Sequence, residues 1–159
     1  MCIGETYNNT EQLDKENEIE LCQEYKYLCV IFCTSGTDNK EIRSRVIQAR
    51  KSIACLNGIL WSKDIRKERN LNIYNTLIKS SLLYGSETWR LTENNKRRVE
   101  ATEMDALRRS SRISRKDRIR NVTIRQQIGL KETIIKRLNR TSSYGTAMFK
   151  EWQKKDYPK

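Results

Sequence analysis

An α+β fold is what this sequence predicts, with a short N-terminal strand hairpin followed by a small, mainly helical bundle and a basic helical connector. Three observations carry that reading. The stretch from Ile19 to Phe32 is crowded with β-branched, aromatic and other apolar residues, the composition that suits a pleated, half-buried surface. Ile42, Val46, Ala49, Ile53, Leu56 and Leu60 recur at spacings of four and three, which puts them on one stripe of a helix. Charge is also divided along the chain. Residues 1–40 hold three lysines against eight acidic residues, a net −5, whereas residues 41–159 hold 29 basic and 12 acidic side chains, a net +17.

The elements follow in order. Met1-Cys2-Ile3-Gly4 reads as a short apolar strand, Asn8 to Glu18 as a polar connection, and Ile19 to Phe32 as strand, giving a hairpin or three-stranded fragment. On that strand Tyr25, Tyr27 and Cys29 alternate with Lys26, Leu28 and Val30. Thr34-Ser35-Gly36-Thr37 is a turn. Asp38 with Glu41 three residues later matches a capping box, so a helix opens there and runs to about Trp61. Arg43, Arg45, Arg50 and Lys51 fall largely off its apolar stripe.

A second helix from about Ile65 to Leu83 carries Leu71, Tyr74, Leu77 and Ile78 on one face, and a short connection implies that it packs antiparallel to the first. Gly85 ends it, and Trp89 anchors the exit. Thr92 caps a third helix that reaches about Ser111, with Val99, Met104 and Leu107 as a thin apolar face. From Leu107 to Arg125 the chain has seven Arg and one Lys against one Asp. So few apolar residues in that stretch predict a mobile basic connector before a helix around Leu130 to Leu138.

Composition excludes several functions. The chain has 159 residues, no histidine and five cysteines without a C-x-x-C pair. Ser-His and Cys-His catalysis are therefore out, and neither a zinc module nor a disulfide framework is indicated. The longest apolar run, Tyr27 to Cys33, is far short of the ~20 residues that span a bilayer. No basic flank and apolar stretch mark a signal segment, so the expected product is intracellular, nuclear or cytoplasmic, and not secreted. No cofactor, metal or small-molecule substrate is expected. The net charge of +12 points to a polyanionic partner, because phosphates neutralised by cations release counterions and that release drives association.

Three ordered blocks give a further reading. Tyr25-Lys26-Tyr27-Leu28-Cys29-Val30-Ile31-Phe32, Ser81-Leu82-Leu83-Tyr84-Gly85-Ser86-Glu87-Thr88-Trp89 and Lys116-Asp117-Arg118-Ile119-Arg120-Asn121 together resemble the region downstream of the catalytic centre in reverse transcriptases of non-LTR (LINE-type) retrotransposons. There a Y-L-G-V-x-F strand precedes a helical thumb, an L-L-Y-G-x-E-T-W block and a D-R-I-R-N turn. The resemblance covers about residues 1 to 140 and implies residual palm strands in 1–36, a thumb-like subdomain in 37–91 and a connector in 92–140. It implies that the polymerase chemistry lay upstream of Met1. No two acidic residues are adjacent, so the paired carboxylates that hold two magnesium ions are missing and no residue is assigned a catalytic role.

The implied partner is RNA or DNA, as template-primer, held through phosphates. Candidate contacts are Arg43, Arg50 and Lys51 on the first helix and Arg108, Arg109, Arg112, Arg115, Lys116, Arg118 and Arg120 in the connector. Arginine forks onto phosphate oxygens and gives affinity with little sequence reading. Tyr27, Leu28 and Cys29 occupy the place of the family's primer grip, with Cys29 where the family has glycine. Trp61, Tyr84 and Trp89 are candidates for base stacking or for core, and Glu87 for an arginine partner. The other reading is a small domesticated module that binds nucleic acid or protein through its helices. Beyond about Arg140 the sequence leaves the family's ending. One nucleotide string that encodes Met148 to Lys159 yields a family-like ending when read one base earlier, so residues 141–159 read as a frame-shifted, poorly ordered tail.

Overall fold

A computed structural model describes residues 10–14, 17–20, 22–130 and 132–141, the first two stretches as backbone only. The expected strand at Met1 to Gly4 and the tail beyond residue 141 lie outside the described residues. The architecture is α+β, with two antiparallel hairpins followed by helices. Contacts divide the chain into two units, Met1–Arg43 and Ser44–Lys159.

In the first unit, β1 (Thr10–Asp14) pairs with β2 (Asn17–Glu20), and β3 (Glu24–Tyr27) pairs with β4 (Val30–Cys33). The polar segment read as a connection therefore contains a strand. Its alternation of polar with sparse apolar residues hides the strand period, and backbone pairing supplies what composition did not.

The Tyr25 to Phe32 block is not one strand. Tyr27 faces Val30 across the ladder, and Leu28 and Cys29 make a two-residue turn with φ of 45° and 64°. Two successive left-handed residues are the requirement of the type I′ turn, which matches the twist of the strands it joins. Tyr25 and Tyr27 do share a face, with ring centroids 6.4 Å apart, but Leu28 and Cys29 leave the alternation at the tip. Helix α1 (Asn39–Cys55) follows Asp38 as the sequence predicts. Glu41, buried in its first turn, accepts the Ile31 backbone N–H at 2.8 Å and so fastens β4 to the helix start.

In the second unit the stripe holds. Val46, Ala49, Ile53 and Leu60 are buried, Leu56 is half-buried, and Ile42 is buried at the start of the same stripe. The helix breaks at Leu56 and resumes as α2 (Asn57–Trp61). Next comes a continuous helical stretch built from α3 (Lys67–Ile73), a π-helical segment (Tyr74–Lys79) and α4 (Ser80–Leu83). Tyr74, Ile78 and Leu82 are fully buried, whereas Leu77, expected on that face, is 51% exposed. The wider π turn rotates Leu77 out of line with Tyr74 and keeps the spacing of four on the buried side.

Gly85, at φ 71°, closes α4, and Ser86–Thr88 turns into Trp89, which is 1% exposed. Helix α5 (Glu93–Ser110) starts at Thr92, whose hydroxyl accepts the Asn95 N–H at 3.3 Å. This third helix is the centre of the unit. It touches α2, α3, the π segment and the later helix α6 (Asn121–Ile128). Val99, Met104 and Leu107 are buried as expected, and Thr102, Glu103, Ala106 and Ser110 are buried with them, so the face is broad rather than thin. A further helix, α7, spans 134–141 with Ile134 and Leu138 buried. One core of Ile53, Leu60, Tyr74, Ile78, Met104, Leu107 and Ile124 crosses the boundary expected at residues 91 and 92.

Candidate nucleic-acid interface

The connector is folded, and its arginines are what fold it. Irregular backbone exposes carbonyls that no ladder satisfies. Arg108 donates to the carbonyl oxygen of Ile119 at 2.8 Å, to that of Ser114 at 3.4 Å and to Asn121 Oδ1 at 3.0 Å. Arg112 donates to the carbonyl oxygens of Ser62 and, at 2.7 Å, of Ile65. Arg109 bridges Asp105 at 3.2 Å and Asn57. The mobile connector expected from composition is thus replaced by backbone pinned from inside by guanidinium groups.

Turn geometry does the rest. At the end of α5 the Ile113 N–H reaches the Arg108 carbonyl at 2.9 Å and the Arg112 N–H reaches that of Arg109 at 3.0 Å. This is a Schellman closure with Arg112, at φ 57°, in the left-handed place usually given to glycine. Ser114 and Asp117 then cap each other reciprocally around the short 3-10 turn Arg115–Asp117. Left-handed Arg118, at φ 51°, directs the chain into α6. Helix α6 closes by the same pair of bonds as α5, with Gly129 in the left-handed place.

These turns border an open groove of about 790 Å³. Its wall includes Arg50 from α1, Trp61 from the end of α2, and Arg108, Arg109, Arg115 and Lys116 from the connector. Ala54, Ala101 and Ile113 add apolar surface over the buried Ile53, and Asp105 adds one carboxylate. Asp105 is held by Arg109 and lies 3.6 Å from Arg115, whose side chain is 78% exposed. That exposure makes the Arg115 pair weak. Arg115, Lys116 and Arg50 are the groove cations turned to solvent.

The other sequence-selected cations are placed differently. Lys51, Arg118 and Arg120 are exposed but do not line the groove, Arg112 is engaged with carbonyls, and Arg43 is exposed in the first unit. The Tyr27, Leu28 and Cys29 set is an exposed hairpin tip, with Leu28 68% exposed. Arg45, expected off the apolar stripe, is buried with its guanidinium 4.6 Å above the Tyr84 ring. The three aromatic candidates separate cleanly. Trp89 is core, Tyr84 is covered on one face by Arg45, and Trp61 stands 38% exposed in the groove.

Helix α5 also carries a charged centre that composition did not reveal. Glu103 is fully buried on α5 and accepts from the Tyr74 hydroxyl at 3.2 Å, from the Ile134 backbone N–H at 2.9 Å and from Arg125 at 3.2 Å. Arg125 also donates to Glu100 at 2.8 Å. Burial works against the Arg125 charge, but the hydrogen bonds and charges of Glu100 and Glu103 outweigh it and raise its pKa. Burial, then the charge and hydrogen bond of Glu103, push the Tyr74 hydroxyl far above the ordinary phenol range, with Arg125 opposing. The centre joins four elements, and of its carboxylates Glu103 is buried while Glu100 is 43% exposed. Only the spacing of Glu100 and Glu103 on one helix side, with Arg125 as a cation inside the core stripe of α6, could have signalled it.

Among the described residues no three His, Cys, Asp or Glu side chains cluster in a metal-holding arrangement, and no described helix is long and apolar enough to cross a membrane. In comparisons with known proteins, the chain matches no family model, and no curated protein or solved structure is significantly similar to it.

Proposed function

We propose that this chain is the thumb and connector part of a LINE-type retroelement RNA-directed DNA polymerase. It holds template-primer nucleic acid through phosphates without reading sequence and without polymerase chemistry of its own. The observation that supports this reading is the groove. Segments far apart in sequence, around Arg50, Trp61 and Arg115, supply its cations and its aromatic. Exposed cations in excess of the single carboxylate repel one another unless a polyanion joins them, and arginine and lysine suit phosphate oxygens without discriminating bases.

The test is the salt dependence of binding to RNA. Each phosphate neutralised contributes roughly 0.7 to 0.9 to the log–log slope. Replacing Arg50, Arg115 and Lys116 together by alanine is expected to lower that slope by about 2 to 3 and to weaken all sequences alike. An unchanged slope and affinity in the triple variant would remove the physical basis of the reading.

A further inference from the structure

We infer that the groove takes an unpaired strand, with one base stacked on Trp61 and the flanking phosphates on Arg50, Arg115 and Lys116. This rests on the nucleic-acid reading and narrows it to a substrate class. The first argument is the exposure of Trp61. A tryptophan at a helix end ordinarily tucks into core, as Trp89 does, yet Trp61 is 38% exposed on the wall of a basic groove. Bases inside a duplex have both faces occupied by their neighbours, so only an unpaired base has a π-face to offer.

The second argument is the chemistry of the wall. Ala54, Ala101 and Ile113 present apolar surface on the same wall as the cations. Phosphates gain nothing from such surface, whereas a base does. The third argument is Asp105. Its carboxylate sits in the same wall, held by Arg109 at 3.2 Å, and can accept an N–H donor there. A base carries such donors and a phosphate diester does not. Cations, an aromatic platform, apolar surface and an acceptor together describe a single-strand site rather than a backbone-only clamp.

The experiment measures binding of a labelled, unpaired oligonucleotide of about ten residues, within the ~4–16 spanned by single-strand sites, against a fully paired duplex of the same length without a loop. RNA and DNA versions of each distinguish a 2′-hydroxyl requirement from simple stacking. Wild type is expected to prefer the unpaired strands. Trp61→Ala is expected to weaken them roughly five- to hundredfold with the salt slope unchanged, while Trp61→Phe stays near wild type. An oligonucleotide with abasic positions supplies a second measurement that leaves the protein untouched, and it is expected to bind wild type as weakly as the intact strand binds Trp61→Ala. Equal binding of duplex and unpaired strand, with no loss in Trp61→Ala or at abasic positions, would overturn the single-strand inference. The broader reading would still stand if the Arg50, Arg115 and Lys116 variant lowered the slope. Absence of any salt-dependent binding by wild type would overturn both.

Discussion

Two residues show how side chains override the bland reading of their type. Arg112 occupies a left-handed position where glycine is normally preferred, and its guanidinium holds the carbonyls of Ser62 and Ile65. The backbone strain is about 1 kcal/mol, and hydrogen bonds from a charged donor contribute about 1.5–3 kcal/mol each. Arg112→Gly is therefore expected to destabilise the protein by about 2–5 kcal/mol in urea unfolding. A neutral or stabilising result would show that the clamp contributes nothing. Tyr74 makes the second case. Its hydroxyl pKa is raised by burial and by Glu103, while the unfolded phenol titrates near 10. Below that value both states are protonated and the contribution is complete. Above it the unfolded chain binds fewer protons than the folded one, so stability falls as pH rises through and beyond about 10. Tyr74→Phe should flatten this alkaline limb, and the phenolate absorbance of wild type should lag for one tyrosine until unfolding.

At the scale of elements, Cys29 holds the second left-handed place of the β3–β4 turn, a conformation that glycine adopts freely. Cys29→Gly removes about 1–2 kcal/mol of left-handed strain and adds unfolded-chain entropy. The β3–β4 hairpin should gain about 0.5–1 kcal/mol, read as slower amide exchange at Tyr27 and Val30. Faster exchange would contradict the turn geometry. The same comparison shows what was legible in the sequence. The stripe from Ile42 to Leu60, the Gly85 stop, the Trp89 anchor and the Thr92 cap were all readable, because each follows from local periodicity or capping chemistry. Thr10–Asp14 was missed because pairing partners, not composition, make it a strand, and Leu77 was misplaced because a π turn changes the helix period. In the groove, charge density singled out Arg50, Arg115 and Lys116 but could not separate them from Arg108 and Arg112, whose carbonyl partners lie 11 and 47 or more residues away. Trp61 was visible only as an aromatic that could go either way.

On the scale of the whole molecule, contacts separate Met1–Arg43 from Ser44–Lys159, and the longer unit is organised around α5. Three elements send a hydrogen-bond donor to its Glu103, Tyr74 from the π segment, Arg125 from α6 and Ile134 from α7, and Glu100 on the same helix shares the guanidinium. A buried carboxylate without its partners is destabilising by about 3–5 kcal/mol. Ending the chain after Leu130 removes the Ile134 donor and the buried Ile134 and Leu138 side chains. The shortened protein is expected to be cut faster by a nonspecific protease than the full chain, and equal cutting rates would show that α7 adds no protection. During synthesis the residues around Glu103 emerge long before Ile134, so its carboxylate stays under-satisfied until the last described helix is made. A chain released before Ile134 is made is expected to leave Glu103 one donor short and to be cut faster than one that carries α7.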